Sequence, residues 1–211
     1  MMMQSAPKIQ NNAQQKARML AKCAHLKNYF TKPFIVMDTE FTSWEGAMLR
    51  DWGGPDEWRE LVQIAAVKVD PTQDYAELET FDVLVKPQWN PELSQYFQDL
   101  TAIRQTQLEA EGLLFDEAAE KFAQFVKGYD VWSYGGDEKI FYENSLFYNV
   151  PFKPDCSFYD ARMVVKMMGD DATLYSSGTL HMAAGISMEG HVHNALHDCR
   201  SVVQYLKHHF G

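Results

Sequence analysis

Apolar positions along this chain follow two periods, and the strand period comes first. Residues 34–37, FIVM, form a continuous apolar run, which is typical of a strand that is buried on both faces. The runs LVQIAAVKVD and ELETFDVLVKP flank the turn PTQD. They predict a hairpin that lies against the first strand.

Helical spacing replaces the strand pattern after the hairpin. Asn90 followed by Pro91 predicts a helix start, and Thr106 with Glu109 fits a capping box. A further helix is predicted to end at Gly128, because apolar residues repeat at helical spacing before it. These residues are Phe115, Ala118, Ala119, Phe122, Phe125 and Val126.

Strands and helices then alternate. YDVWSY predicts a short strand, and GGDEKIFYENSLF predicts a helix whose start holds Asp137. DCSFYD predicts another short strand, which leads into the helical segment ARMVVKMM. Ser177 or Thr179 opens a short helix that Gly185 closes.

The last segment, HVHNALHDCRSVVQYLKHHF, carries a clear helical stripe. Its members are Ala195, Leu196, Cys199, Val202, Val203 and Leu206. Asn194 is a plausible N-cap, so Asp198 lies in the first turns and His193 just outside the helix. On that loop His193 can turn toward the same cluster as Asp198, as a proton-transfer residue needs to.

This order of elements predicts an α/β fold, with one mixed sheet and helices packed on it. Residues 33–211 contain no stretch that looks like a linker and form one predicted domain. Residues 1–32 are predicted to be a basic helical extension, which is either an ordinary solvated helix or an arm that binds nucleic acid. Its basic residues are Lys8, Lys16, Arg18, Lys22, Lys27 and Lys32.

Composition narrows the classes of protein. The net charge of -10 argues against binding nucleic acid by bulk attraction. Cys23, Cys156 and Cys199 are far apart and form no CxxC pair, so we expect reduced thiols. No apolar stretch approaches membrane-spanning length and the first residues lack a signal peptide, so we expect a cytoplasmic protein without membrane contact.

Acidic residues supply the candidate chemistry. Asp38 and Glu40 follow the first apolar run and point to the same side of the strand, while Thr39 points away. Two carboxylates this close repel each other unless a divalent cation lies between them, although acidic pairs at strand ends are commonly just solvated. Asp137 is either another ligand or simply the N-cap of its helix. If these three converge with Asp198, they form an oxygen-rich site suited to Mg²⁺ or Mn²⁺.

Three motifs carry a resemblance to a known family. DTEF, YGGDEKIF and HNALHD, in this order, resemble the exonuclease motifs of the DEDDh 3′–5′ exonucleases, over about residues 33–207. DTEFTSWEG, LVQIAAVKVD and LTAIRQTQLEAEG are most similar to the branch that contains the histone-mRNA exonuclease and the bacterial KapD-type proteins. The resemblance implies a ribonuclease H-like fold, whose first three strands are antiparallel and whose later strands are parallel.

The resemblance also implies an activity: hydrolysis of single-stranded RNA or DNA from the 3′ end to nucleoside 5′-monophosphates, with two Mg²⁺ or Mn²⁺ ions. Asp38, Glu40 and Asp198 would bind the first ion, Asp38 would also touch the second, and Asp137 would hold the water shell of the second. His193 would be the general base.

Substrate contacts are a further implication of the resemblance. Phe41 would pack on the terminal base, and Thr39 and Trp44 are additional candidates for contact with the strand. A packing role in the core or in the loop is an equal alternative for Phe41 and Trp44. RNA or DNA preference and oligomeric state stay open.

Three alternatives compete with this interpretation. His191 is a nearby rival for the base, but His193 has the better spacing to Asp198. His193 and His197 are four residues apart, a spacing typical of zinc ligands, yet zinc would leave the acidic motifs unexplained. A catalytically silent module that binds nucleic acid or protein is the non-enzymatic alternative.

Overall fold

The computed structural model describes residue 21 and residues 24–211. Its strands are β1 (Phe34–Phe41), β2 (Leu61–Asp70), β3 (Ala76–Leu84), β4 (Asp130–Ser133) and β5 (Ser157–Asp160). They form one sheet in the order β3-β2-β1-β4-β5. β1, β2 and β3 pair antiparallel, whereas β4 pairs parallel with β1 and with β5. The predicted mixed sheet is confirmed.

Helices cover both faces of this sheet. The α-helices are α1 (Gln95–Thr101), α2 (Gln105–Glu111), α3 (Phe115–Phe125), α4 (Asp137–Phe147), α5 (Ala161–Met168) and α6 (Ala195–Phe210). The 3-10 helices are Ala24–Phe30, Met48–Arg50, Pro71–Gln73 and Ser177–Ala184. Among the described residues, no helix is long and apolar enough to cross a membrane.

β1 is buried on both faces, which explains its continuous apolar run. Phe34 and Val36 pack in a core with Val202 and other residues of α6, which we call the α6-side core. Ile35 and Met37 pack in a second core with residues of α3 and α4, the α3-side core. Because side chains alternate along a strand, Asp38 and Glu40 continue the Phe34 and Val36 row and face the α6 side.

The N-terminal extension is described only in part. Residues 1–20, 22 and 23 lie outside the described residues, and they carry most of the basic positions of the predicted extension. Leu26 and Phe30, on the 3-10 helix Ala24–Phe30, are buried in the α6-side core. This part of the chain therefore packs with the domain.

Two predicted helix starts are wrong. No helix begins at Pro91, because α1 starts after Ser94, whose hydroxyl accepts a hydrogen bond from the Phe97 N–H at 3.0 Å. The expected capping box of Thr106 and Glu109 is also absent, since α2 already begins at Gln105. In both places, tertiary contacts of neighbouring side chains outweigh the local capping pattern and determine where the helix begins.

Asn90 is held by the carboxylate of Glu60, which is fully buried. The backbone N–H groups of Gln88, Trp89 and Asn90 donate to this carboxylate at 2.8, 2.8 and 2.7 Å. The Asn90 side-chain amide and the Tyr148 hydroxyl donate to it as well. Glu60 therefore fastens the segment after β3, and Tyr148 just after α4, to the start of β2.

We predict that Glu60→Ala lowers the free energy of unfolding by about 2–4 kcal/mol, because several donors lose their acceptor at once. Urea unfolding measures this loss. Glu92→Ala is the matched control: Glu92 is an exposed glutamate on the same segment, and its replacement should change the stability by less than about 0.5 kcal/mol. Equal effects of the two variants would contradict the role of Glu60.

Candidate active site

The end of β1 presents Asp38 and Glu40 to the start of α6. Asp38 is 6% exposed and pairs with Ala65 of β2, and Glu40 is half-buried and pairs with Gln63. The Gln63 side-chain oxygen accepts a hydrogen bond from the Ala195 N–H at 3.0 Å. This bond fastens the first residue of α6 to the strand next to Glu40.

α6 supplies Asp198, which is 1% exposed. The predicted N-cap is confirmed, since the Asn194 side chain accepts from the His197 N–H at 3.2 Å. Asp198 Oδ2 accepts from the Ser177 hydroxyl at 3.0 Å, and Oδ1 accepts from the His193 N–H at 3.3 Å. Two neutral donors thus hold this carboxylate in place.

α4 supplies Asp137 from the other side of β1. Its Oδ1 accepts from the Thr39 N–H at 3.0 Å and from the Thr39 hydroxyl at 2.7 Å. Gly136, not Asp137, is the N-cap of α4, so the interpretation of Asp137 as a simple cap is wrong. Thr39 therefore positions Asp137, while its contact with substrate stays a prediction.

His193 lies on the loop just before α6, as predicted. Its φ of 69° places it in the left-handed region, which a non-glycine residue adopts only when its surroundings enforce it. One ligand atom each of His193, Glu40 and Asp198 lie within 4.8 Å of one another. The imidazole therefore joins the acidic cluster.

The other two histidines of this segment are engaged elsewhere. The His191 Nε2 lies 2.9 Å from the Leu100 carbonyl oxygen. The buried His197 ring has its Nε2 3.3 Å from the Gly178 carbonyl oxygen. His197 is not part of the group that His193 forms with Glu40 and Asp198, so the zinc-like spacing does not produce a two-histidine site.

Burial and mutual repulsion raise the pKa values of the acidic groups. Burial, then the charges of Asp137, Asp198 and Glu40, holds the pKa of Asp38 well above its ordinary value. Burial and the charges of Asp198 and Asp137 do the same to the pKa of Glu40. Burial raises the pKa of Asp137 to about 6 and also raises the pKa of Asp198. In the part of the chain that the structure describes, no lysine or arginine forms an ion pair with these four groups.

This cluster fits a divalent cation. Its donors are carboxylate oxygens, the ligands that hard cations prefer, and their repulsion favours binding of positive charge. The backbone also makes room for the cluster, because a Cβ on Gly178 would lie 2.3 Å from Asp198 Oδ1. Ser177, Gly178 and Gln63 were not predicted as site residues, since none belongs to an acidic motif or has a diagnostic spacing to one.

The two aromatic candidates lie beyond the acidic pair. Phe41 is half-buried, and its ring packs on Trp52 with the centroids 5.3 Å apart. Trp44 is half-buried in the following loop, where its carbonyl oxygen accepts from the Ala47 N–H at 2.9 Å. Their contacts with substrate stay predictions.

Comparisons with solved structures identify the fold. The nuclease domain of 3′hExo, a DEDDh family member bound to rAMP, matches with a TM-score of 0.72 and 18% identity, over 84% of this chain and 91% of that chain. Cell-death related nuclease 4 matches with a TM-score of 0.68 and 20% identity, over 84% and 63%. Exonuclease I of E. coli, in complex with a dA16 oligonucleotide, matches with a TM-score of 0.60 and 16% identity, over 83% and 41%. The sheet and its flanking helices thus form a ribonuclease H-like fold.

A comparison with models of protein families shows to which family the chain belongs. No curated protein matches the chain in a sequence search. The RNase_T family model, described as Exonuclease, matches residues 35–206, a span that includes the acidic cluster and His193. The chain therefore belongs to the RNase_T exonuclease family.

Proposed function

We propose that this chain is a metal-dependent 3′–5′ exonuclease that hydrolyses single-stranded RNA or DNA to nucleoside 5′-monophosphates. The observation that carries the proposal is the group of Glu40, Asp198 and His193, in which one oxygen or nitrogen atom of each residue lies within 4.8 Å of the others. Asp38 lies two residues before Glu40 on β1, and Asp137 is hydrogen-bonded to Thr39 between them. Family membership supports the same class of activity.

The roles proposed for the residues are those that the resemblance implies. Asp38, Glu40 and Asp198 would hold one Mg²⁺ or Mn²⁺, Asp38 would also touch a second ion, and Asp137 would hold the water shell of that second ion. Bound cations would act as Lewis acids on the phosphodiester and would lower the pKa of a bound water. His193 would accept the proton of the attacking water at its imidazole nitrogen. As the water oxygen bonds to phosphorus, the bond to the 3′ oxygen breaks and that oxygen takes up a proton from solvent. The products are a nucleoside 5′-monophosphate and a shortened strand that ends in a 3′-hydroxyl.

Similar structures support a strand with a free 3′ end as the substrate. One solved relative is described with the 3′ end of the histone mRNA stem-loop, and another with a dA16 oligonucleotide. Phe41 and Trp44, just after the acidic pair, are the proposed contacts for the terminal bases. Stacking on aromatic rings tolerates every base, so a slight sequence preference is expected.

We predict that Asp38→Ala reduces the release of 5′-nucleotides by about 10³-fold or more, because the variant loses a ligand shared by both ions. Matched single-stranded RNA and DNA oligonucleotides, labelled at the 5′ end, measure the shortening from the 3′ end with Mg²⁺ or Mn²⁺. Asp116→Ala, at an exposed carboxylate on α3, should retain full activity. If the unmodified protein releases no nucleotide with either cation, the catalytically silent binding module becomes the better interpretation.

A second prediction separates the base from a metal ligand. His193→Ala should lower the turnover rate by about 10²–10⁴-fold, as expected for loss of a general base. Its affinity for Mn²⁺, measured without substrate, should stay near that of the unmodified protein. His191→Ala is the matched control and should keep its activity, because His191 contacts the Leu100 carbonyl oxygen. A large loss of Mn²⁺ affinity in His193→Ala would instead make His193 a ligand.

A third prediction concerns the metal-free protein. A carboxyl group whose pKa is higher in the folded state binds protons more tightly there, so folding loses stability as the pH rises above the unfolded value near 4. Asp38→Asn removes one such group. In EDTA its unfolding midpoint should exceed that of the unmodified protein at pH 7.5, and the difference should shrink toward pH 4.5. Added Mn²⁺ should reverse the order at pH 7.5; an Asp38→Asn variant that is less stable in EDTA would contradict the repulsion.

A further inference from the structure

Ser177 places a hydroxyl group against the Asp198 carboxylate of the acidic cluster. It lies on the 3-10 helix Ser177–Ala184, outside the three acidic motifs. Its Oγ donates to Asp198 Oδ2 at 3.0 Å. A neutral donor therefore ties the 3-10 helix to the carboxylate that α6 supplies.

The position of Ser177 is fixed from both sides. Before it, the Ser176 N–H donates to the Thr179 hydroxyl at 2.9 Å, which closes the turn. After it, the His181 N–H donates to the Ser201 hydroxyl at 3.1 Å and ties the 3-10 helix to α6. The Ser177 hydroxyl is therefore held in place by contacts on either side.

Gly178 brings the backbone of this turn against Asp198. A Cβ at this position would lie 2.3 Å from Asp198 Oδ1 and 2.8 Å from its Cγ. Such a distance is far inside van der Waals contact, and Asp198 has little room to move because it is buried on α6. Only glycine allows the turn to approach so closely that the preceding serine reaches the carboxylate.

We propose that Ser177 is a positioning residue that orients the carboxylate of Asp198 for binding a divalent cation. Donation to one oxygen of Asp198 fixes the rotation of the carboxylate, while an oxygen of Asp198 stays within 4.8 Å of ligand atoms of Glu40 and His193. Without this donor, the Asp198 carboxylate is free to rotate away from Glu40, and the cation must bring it back. The inference rests on the proposed metal-dependent function.

The expected effect lies in metal affinity rather than in folding. Loss of a group that orients metal ligands typically weakens metal binding by about 10–100-fold. Ser176 provides a matched control, because it is a half-buried serine in the same turn whose hydroxyl contacts Thr179 at 3.2 Å. Variants of these two serines therefore distinguish orientation of the Asp198 carboxylate from stabilisation of the turn.

The test is titration of the full chain with Mn²⁺ in the absence of substrate. Binding is measured by calorimetry or by the electron paramagnetic resonance signal of free Mn²⁺. Ser177→Ala and Ser177→Cys should both bind Mn²⁺ about 10–100-fold more weakly, because neither retains a hydroxyl donor. Ser177→Thr keeps the hydroxyl and should restore the affinity to within about threefold. Ser176→Ala should lower the thermal unfolding midpoint and leave the Mn²⁺ affinity unchanged.

The titrations distinguish failure of the role proposed for Ser177 from failure of the proposed metal-dependent function. Unchanged Mn²⁺ affinity in both Ser177→Ala and Ser177→Cys would overturn the role of Ser177 and leave the proposed metal site intact. A Ser177→Thr variant as weak as Ser177→Ala would also overturn it, since the hydroxyl would not be the cause. If the unmodified protein fails to bind Mn²⁺, the proposed function itself fails, and the role of Ser177 fails with it.

Discussion

Repulsion among four carboxylates that are largely shielded from water is the constraint on which this molecule depends. Lysine or arginine would relieve it, but each would also compete with a cation for the same oxygens. The chain instead holds its acidic groups with neutral donors: Thr39 on Asp137 and Ser177 on Asp198. Gln63 likewise ties the start of α6 beside Glu40 without a charge. The negative potential of the cluster is therefore not neutralised by the protein, and the repulsion among the carboxylates destabilises the metal-free fold.

The register of β1 in the sheet couples the position of the acidic groups to the packing of both cores. Asp38 and Glu40 share a row with Phe34 and Val36, and that row is fixed by packing against α6. A slip of one residue would move both acids to the α3 side, and would also exchange the apolar residues between the two cores. The packing that stabilises β1 thus also determines where its carboxylates point. A change of register that disturbs the two cores would also displace Asp38 and Glu40.

Regular elements and acidic motifs could be predicted from the sequence because their signals are local. The continuous run of β1, the hairpin and the stripe of α6 each lie within one segment. The start of α1 could not be found, because Asn90 is held by Glu60, thirty residues earlier in the chain. The hydrogen bond from Thr39 to Asp137, and that from Ser177 to Asp198, likewise depend on contacts between distant segments. Sequence patterns predict the structure of one segment at a time, whereas the positions of these residues are determined by contacts with segments that are distant in the sequence.

The ring of Phe30 determines where the 3-10 helix Ala24–Phe30 is attached to the domain. It stacks on Phe210, the last residue of α6, with centroids 4.8 Å apart, and contacts Phe34 at the first position of β1. Asp198 lies twelve residues nearer the other end of α6, about 18 Å away along the helix axis. The 3-10 helix Ala24–Phe30 is therefore anchored at the end of α6 that lies farther from Asp198.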